Sequence, residues 1–431
     1  MQQYDSYKDS GVQWLGEIPS HWEVKRLASY FSERRVKVSD EEFPPLSVTK
    51  NGIFHQLENV AKSNDGDNRK LVHCGDFVIN SRSDRKGSSG VSKYDGSVSL
   101  INIVLEPRKE KTFPDFCNYL LKSNAFIEEF YRNGRGIVAD LWTTRYDEMK
   151  MIKIPMPTLK EQTAIATYLD EQTARIDTAI AQQQKMIDLL NERKQIIINR
   201  AVTKGLNPNA KMKDSGVEWI GEVPEHWEVK KLKHVCKAFG RIGFRGYSTT
   251  DLVDEGEGCI TLSPSNMRGG RMQYDKCTYL SWEKYEESPE IKIFDGDILF
   301  VKTGSTYGKC SLVENLPIEA TINPQLLVFK EFQCSNKFLI NVLLTNLIKY
   351  QVEISVIGGT IPTISQSKIM NYIFPCPPRE EQEKIVQFID ETIAPIDDVI
   401  KAIEKQISLL QERKRIIINE VVTGKVKVSN N

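Results

Sequence analysis

Two segments of the chain show the seven-residue apolar pattern of a long helix. In the C-terminal segment, one apolar series recurs every seven residues: Ile389, Ile396, Ile403, Leu410 and Ile417. A second series follows four residues after each member, and the same double pattern begins at Leu169 in the middle of the chain. Alternating spacings of four and three predict a coiled-coil seam. Each helix of about 40 residues would be about 60 Å long.

Each predicted helix is the obvious apolar partner for the other. Three polar residues interrupt the seams, and we expect them to help to fix register and orientation: Gln183, Lys194 and Lys414. Pro395 falls inside the second helix, where it should bend the helix or delay its regular start. The alternative is that each helix packs only on its own domain.

The helices belong to an internal duplication, which is the strongest organising feature of the sequence. The short repeat, residues 9–27, returns at 214–232 with 14 of 19 positions identical. The long repeat, residues 157–205, returns at 377–425 and contains the helical pattern in both copies. The offsets of 205 and 220 leave 15 additional residues between the repeats of the second copy. The sequence therefore predicts a duplicated unit with two divergent inserts.

The inserts, roughly residues 22–155 and 227–375, have a mixed pattern. Short β-branched or aromatic runs such as 71–80 and 323–331 are broken by turn residues, and amphipathic helical patterns such as 116–133 lie between them. This mixture predicts two α+β domains. We expect a first domain with its N-terminal repeat at 1–157, a central helix at 158–202, a polar linker at 203–215, a second domain at 216–377 and a C-terminal helix at 378–425.

Composition narrows the class of protein. The 431 residues include 58 Lys plus Arg and 58 Asp plus Glu, and this zero net charge alone argues against a nucleic-acid binder. The sequence has no run of 18 apolar residues and no N-terminal signal-peptide pattern, so we expect a cytoplasmic protein. The eight cysteines do not cluster with the five histidines, so we expect free, mostly buried thiols and no zinc site.

Catalytic motifs are incomplete wherever they begin. The loop 304–310 (GSTYGKC) resembles a phosphate loop, but its glycines are too close and Cys310 replaces the required Ser or Thr, so a strand-to-turn loop is expected. Residues 323–326 (NPQL) lack the second proline and the aromatic residue of an adenine methyltransferase motif. His21 and His226 occupy equivalent repeat positions without an evident base or nucleophile, so we expect them to pack in turns. The sequence predicts no catalytic residue, cofactor site or metal site in this chain.

Two different modules on a repeated helical frame suit two DNA half-sites held at a set spacing. Each insert contains loops rich in the side chains that contact bases and phosphates. In the first insert the candidate DNA-binding residues are Arg82, Arg85, Lys86, Lys93, Arg135, Thr143, Thr144 and Arg145. In the second insert they are Arg241, Arg245, Tyr247, Ser265, Asn266, Arg268, Arg271, Lys302, Thr303, Ser305, Tyr307 and Lys309.

The inserts as a whole are only weakly basic. The first contains 22 basic and 19 acidic residues, and the second contains 17 basic and 16 acidic residues. Such a small excess predicts limited neutralisation of DNA phosphates by this chain alone. We therefore expect partner subunits to help it to hold DNA.

The combination of repeated motifs resembles the specificity subunit of type I restriction-modification enzymes. The motifs are a duplicated short repeat (WLGEIPSHWEV and WIGEVPEHWEV), a duplicated Pro-x-x-x-Glu-Gln helix start and a duplicated ERK-x-IIIN helix end, and the resemblance covers essentially the whole chain. It implies two target-recognition domains joined by two long antiparallel helices. Each domain would recognise one half of a bipartite, asymmetric site in double-stranded DNA, and the helices would set the spacer.

The resemblance also implies partners. Two methyltransferase subunits would bind the helical frame and supply S-adenosylmethionine chemistry on adenine N6, and two restriction subunits would supply ATP-driven translocation and Mg²⁺-dependent cleavage. This chain would itself be non-catalytic. One alternative is a protein-interaction scaffold with two binding modules on a coiled-coil spacer. A stand-alone nuclease or methyltransferase is disfavoured because the cofactor loops are missing.

Overall fold

The computed structural model describes residues 2–56, 66–136, 142–241, 243–356 and 361–428. The chain forms two compact units. Unit 1 comprises residues 1–184 and 404–431, and unit 2 comprises residues 185–403. Both unit boundaries fall inside the two long helices, Leu159–Lys204 and Arg379–Val422. Each unit therefore contains one insert and a part of each long helix.

Unit 1 begins with the short repeat and continues through the first insert into the central helix. Its strands are β1 (Tyr7–Asp9), β2 (Glu17–Pro19), β3 (Glu23–Arg26), β4 (Phe31–Glu33), β5 (Lys37–Val38), β6 (Leu46–Thr49), β7 (Gly52–His55), β8 (Arg69–Val72), β9 (Phe77–Asn80), β10 (Ser89–Val91), β11 (Gly96–Ser99), β12 (Asn102–Pro107) and β13 (Lys153–Met156). Its helices are α1 (Pro114–Lys122), α2 (Asn124–Arg132), α3 (Tyr146–Met149) and the start of α4 (Leu159–Lys204).

The main sheet of unit 1 has the strand order β10-β9-β12-β4, and a smaller sheet has the order β11-β8-β5. Strand β9 is buried on both faces, which explains its continuous apolar sequence. Phe77 and Ile79 face a core that includes helices α1 and α2, while Val78 faces a second core. This sheet positions the loop that follows Asn80.

Unit 2 repeats this plan with larger sheets. Its strands are β14 (Met212–Asp214), β15 (Glu222–Pro224), β16 (Glu228–Lys231), β17 (Lys237–Gly240), β18 (Leu252–Val253), β19 (Gly258–Leu262), β20 (Met267–Arg268), β21 (Arg271–Met272), β22 (Thr278–Ser281), β23 (Ile298–Val301), β24 (Cys310–Leu312), β25 (Ala320–Ile322), β26 (Leu326–Lys330) and β27 (Ile373–Cys376). Its helices are α5 (Trp282–Glu286), α6 (Asn336–Leu343), α7 (Asn346–Ser355), α8 (Gln366–Ile369) and the start of α9 (Arg379–Val422).

The six-stranded sheet of unit 2 has the order β17-β26-β23-β24-β21-β20, and a four-stranded sheet has the order β18-β22-β19-β25. Strand β23 alternates between two cores, as β9 does. Ile298 and Phe300 face the core that includes helices α6 and α7, while Leu299 and Val301 face another. The two inserts therefore share a central sheet although their sequences have diverged.

The polar residues in the helical seams pair within each unit. In unit 1, Gln183 donates to Gln406 at 2.9 Å, and Lys414 contacts Asp177 at 2.6 Å. In unit 2, Lys194 contacts Asp397. A later position on α4 pairs with an earlier position on α9, so the helices run antiparallel in unit 1. The prediction that each helix partners the other is confirmed, and these polar pairs can fix the register.

Apolar seam residues also pack on the domains, so the two alternatives for the helices coexist. Leu169 and Ile176 belong to the core of unit 1, and Ile389 and Ile393 belong to the core of unit 2. The C-terminal helix is regular from Arg379 through Pro395, so the proline does not delay its start. The central helix extends to Lys204, into the beginning of the expected linker. Within the described ranges, no helix is both long and apolar enough to cross a membrane.

The short repeat binds the start of the long repeat in both units. His21 Nε2 lies 2.7 Å from Glu161 Oε1, and the indole of Trp22 donates to the same oxygen at 3.3 Å. Burial alone would raise the pKa of Glu161, but the hydrogen bonds from His21 and Thr158 outweigh it and lower that pKa. In unit 2, His226 and Trp227 contact Glu381 at 2.8 and 3.1 Å.

These contacts explain the glutamate of the Pro-x-x-x-Glu-Gln motif and give the two histidines a structural role. Both histidines are exposed, and their carboxylate partners were not anticipated from the sequence. The following glutamine anchors the insert. Gln382 Oε1 accepts from the backbone N–H of Ser335 at 2.7 Å, and its amide donates to the Pro377 carbonyl at 2.8 Å. Gln162 makes equivalent bonds to Phe113 and Pro157.

We expect Gln382→Ala to lower the free energy of unfolding of unit 2 by about 1–3 kcal/mol, because it leaves the buried Ser335 N–H without an acceptor. Urea denaturation monitored by tryptophan fluorescence measures the effect. Gln387→Ala is the control, since Gln387 is exposed on the same helix and its side chain bonds only Glu391 among the described residues. The control should change stability by less than about 0.5 kcal/mol. Equal losses in both variants would contradict the anchoring role.

Candidate nucleic-acid interface

Three loop segments of unit 1, from two distant parts of the sequence, meet where strand β9 ends. We call residues 81–86, 133–136 and 142–145 loop cluster 1. The backbone of Thr143 bridges to Arg82 on one side and to Arg135 on the other. The N–H of Thr144 also donates to the Ser81 carbonyl at 3.0 Å. Three candidate segments that the sequence identified separately are thus parts of one surface.

Unit 2 repeats this junction with different side chains. We call residues 302–309, 323–325 and 361–364 loop cluster 2. Thr303 bridges to Thr363 as Arg82 bridges to Thr143. The N–H of Ile364 donates to the Lys302 carbonyl at 2.8 Å, as Thr144 does to Ser81 in unit 1. The same end of the main sheet is therefore built in the same way in both units.

In loop cluster 1, exposed cations dominate. Arg82, Arg85, Arg135 and Arg145 are exposed, and Lys86 and Thr143 are half-buried. Thr144 is buried, and its hydroxyl donates to the Phe130 carbonyl at 3.0 Å. Lys93 is exposed but lies beyond β10, at the opposite end of the β9–β10 hairpin. The structure therefore gathers six of the eight candidates at one exposed or half-buried surface and separates Thr144 and Lys93 from it.

The cations of loop cluster 1 differ in whether they form ion pairs with acidic side chains. Lys86 contacts Glu128 at 2.7 Å, and Arg135 contacts Glu148 at 3.4 Å. Arg85 lies 3.8 Å from Asp84. The guanidinium groups of Arg82 and Arg145 have no hydrogen bond or ion pair to a described residue. These two arginines are therefore the cations most available to an incoming ligand.

In unit 2, two of the candidate DNA-binding residues, Arg241 and Asn266, are buried and hydrogen-bonded within the protein. The guanidinium of Arg241 is buried and donates to the Ile322 carbonyl and to the Thr321 hydroxyl, both at 3.0 Å, and burial lowers its pKa. It also lies over the ring of Tyr247, 5.3 Å from the centroid. The amide of buried Asn266 donates to the Lys276 carbonyl at 3.0 Å. The polar groups of Arg241 and Asn266 therefore form hydrogen bonds within the protein.

The remaining candidates of unit 2 line the surface. Ser265, Arg268, Arg271 and Ser305 are exposed. The half-buried group is Arg245, Tyr247, Lys302, Thr303, Tyr307 and Lys309. Arg245 contacts Glu290 at 3.4 Å, and Lys309 donates to the Pro264 carbonyl at 3.3 Å. The latter bond joins loop cluster 2 to the hairpin that bears Arg268 and Arg271.

Lys302 has the electrostatics of a binding residue. Burial lowers the pKa of its ammonium group, and this group has no hydrogen bond or ion pair to a described residue. A phosphate or a guanine acceptor would favour its charged form.

Two residues of loop cluster 2 escaped the sequence prediction. Thr363 donates to the Thr303 hydroxyl at 3.4 Å, and the carbonyl of Gln325 accepts from the N–H of Lys302 at 2.9 Å. Thr363 matches Thr143 at the repeat offset of 220, so an alignment anchored on the long repeat would have identified it. Gln325 has no such signal because it belongs to the divergent part of the insert.

The loop at 304–310 is a hairpin connection. It joins the antiparallel strands β23 and β24 and leads into no helix, as the incomplete motif predicted. Across the ranges that the structure describes, no group of three or more His, Cys, Asp or Glu side chains is arranged to hold a metal ion.

Comparison with known proteins agrees with the sequence motifs. The type I restriction modification DNA specificity domain family matches residues 224–409. The type I restriction enzyme MjaVIII specificity subunit of Methanocaldococcus jannaschii is 26% identical over 433 residues, which cover 96% of this chain and 95% of that protein. The EcoKI specificity subunit of Escherichia coli K12 is 22% identical, with 95% and 90% covered.

A solved structure shows the same fold. A chain from the structural work on complex assembly and conformational transition of the type I R-M system aligns with a TM-score of 0.67 at 16% identity, covering 95% of this chain and 99% of that one. The expected fold class, α+β domains with two long helices, is confirmed. The resemblance to type I specificity subunits that the motifs indicated is confirmed as well.

Proposed function

We propose that this chain, a relative of type I specificity subunits, recognises one half of a bipartite DNA site with each unit and is itself non-catalytic. The repetition of one junction with different side chains supports this proposal most directly. Loop cluster 1 offers the unpaired Arg82 and Arg145, whereas loop cluster 2 offers Lys302, Thr303 and Thr363. Because different side chains prefer different base edges, the two half-sites should differ in sequence.

The long helices offer matching surfaces for two copies of one protein partner. Unit 2 exposes Leu189 and Ile196, and unit 1 exposes Leu409 and Ile416, which are the same positions of the long repeat. Their exposed fractions lie between 45% and 60%. Apolar groups repeated at equivalent exposed positions favour binding to two identical subunits. We propose that adenine methyltransferase subunits bind there, and that restriction subunits join the same assembly.

The direct test of this function is adenine-methylation mapping. The chain is co-expressed with the methyltransferase subunit encoded beside it in a host that lacks other adenine methyltransferases, and the genome is sequenced for N6-methyladenine. The expected result is a single asymmetric motif with two specified parts and an unspecified spacer. Methylation that requires no such motif, or none although the subunits co-purify, would contradict the proposal and favour a protein-interaction scaffold.

We expect Arg82→Ala and Lys302→Ala each to weaken binding of the assembled complex to its own site by about tenfold, because each removes an unpaired cation at a loop cluster. Fluorescence anisotropy at fixed salt measures the change, since phosphate contacts depend strongly on ionic strength. Lys93→Ala is the matched control, because this exposed lysine lies away from loop cluster 1. A loss in the control equal to that in Arg82→Ala would place the interface elsewhere.

A further inference from the structure

One position has the same backbone geometry in both units and opposite side-chain chemistry. The main-sheet registers pair Asn80 with Asn102 in unit 1 and Val301 with Leu326 in unit 2. The residue just before each second strand accepts a backbone hydrogen bond from the loop cluster. Ser81 donates to Ile101 at 3.2 Å, and Lys302 donates to Gln325 at 2.9 Å. Ile101 and Gln325 are therefore equivalent.

In unit 1, this position places exposed apolar groups beside Arg145, within a cavity lined by charged side chains of both signs. Ile101 and its neighbour Leu100 are 37% and 38% exposed. They line an open cavity of about 350 Å³ together with Arg35, Lys37 and Arg145 and with the carboxylates Glu33 and Asp147. The Ser81 hydroxyl fixes the backbone by donating to the Ile101 carbonyl at 2.6 Å. An exposed aliphatic side chain in the same cavity as the guanidinium of Arg145 suits an apolar group on a polyanion.

In unit 2, the same position holds an oriented amide. Asn323 Nδ2 donates to Gln325 Oε1 at 3.1 Å, and the N–H of Gln325 donates to Asn323 Oδ1 at 3.0 Å. Gly304 has φ +103°, and a Cβ there would lie 3.1 Å from Gln325 Nε2, so the loop packs closely on the amide. The Nε2 group has no hydrogen bond to a described residue, and Oε1 keeps one lone pair. This exposed amide can therefore still donate and accept.

We propose that this position selects one base in each half-site, thymine through Ile101 and adenine through Gln325. The thymine C5-methyl group is the apolar feature of the major groove, and adenine pairs its N7 acceptor and N6 donor with a side-chain amide. The inference rests on the proposed function and adds the base classes that this function leaves open. Asn323 is a positioning residue, since it acts through its two hydrogen bonds to Gln325.

Reciprocal exchange tests the assignment. The complex of this chain with its methyltransferase subunits selects binding sites from double-stranded DNA with randomised positions. Gln325→Ile should lose an adenine preference of about tenfold at one position of one half-site, and Ile101→Gln should lose a thymine preference at one position of the other. The controls are Gln333→Ile and Met151→Gln, which alter exposed residues outside the loop clusters and should leave the selected site unchanged.

Base analogues test whether the thymine methyl group and adenine N7 are the groups that the protein recognises. Replacing the selected thymine by deoxyuridine removes only the methyl group, and should weaken wild-type binding about threefold to fourfold without affecting Ile101→Gln. Replacing the selected adenine by 7-deazaadenine removes N7, and should weaken wild-type binding without affecting Gln325→Ile. Equal sensitivity of wild type and variant to either analogue would overturn that assignment. If the wild-type complex selects no bipartite site, the proposed function itself fails, whereas an intact site with unchanged preferences in both variants refutes this inference alone.

Discussion

Replacing residues 22–155 with the corresponding insert of a type I specificity subunit will change one half-site and leave the other half-site unchanged. The physical reason is that each insert has its own buried sheet and its own contacts to the repeats. The cuts fall beside paired strands, because the first exchanged residue, Trp22, directly precedes β3 and the last, Pro155, lies in β13 opposite Val24. Glu161 and its partner His21 lie outside the exchanged segment and are retained. Trp22, the other partner of Glu161, is the first exchanged residue. The new insert is therefore connected to the same contact between the short repeat and the start of the long repeat.

Methylation mapping of the hybrid measures the result, and the reciprocal exchange of residues 227–375 is its control. The control should change only the half-site that the first exchange leaves intact. Stability of the hybrid is checked by recovery of the complex with methyltransferase subunits. A change in both half-sites after a single exchange would show that the units do not recognise DNA independently.

The helical frame was predictable because its signal is periodic and long. Leu169 and Ile389 begin equivalent seven-residue series, and the polar interruptions were informative because polar residues within an apolar seam can fix its register. Gln183 finds Gln406, and Lys414 finds Asp177. The partners themselves were not predictable, since they depend on the antiparallel register and not on local sequence.

The loop clusters were only partly predictable, because backbone bonds between distant segments assemble them. Nothing local to Arg82 indicates that it will bridge to Thr143, about 60 residues later. Charge and residue type identified Arg82 and Lys302, but the same criteria also selected Arg241 and Thr144, whose polar groups are buried and bonded within the protein. Burial decides between these roles, and the sequence pattern of an irregular loop does not report burial.

Shortening both long helices by one heptad will shorten the spacer of the DNA site by about three base pairs and preserve both half-sites. Seven residues contribute about 10 Å of helix, and each base pair occupies about 3.4 Å. Deleting residues 184–190 from α4 and 399–405 from α9 removes a whole heptad from each helix and keeps the pairs Gln183–Gln406 and Lys194–Asp397. Whole heptads preserve the seam, because every remaining apolar residue keeps its face.

The matched control deletes the heptad from α4 alone. The two helices then differ in length, so the polar pairs on one side of the deletion lose their register, and we expect a loss of methylation with no new spacer. Methylation mapping distinguishes the outcomes directly, since the bases of each half-site and the spacer length are obtained together. If the double deletion altered half-site bases, or left the spacer at its original length, the helices would not set the spacing between the two recognised sequences.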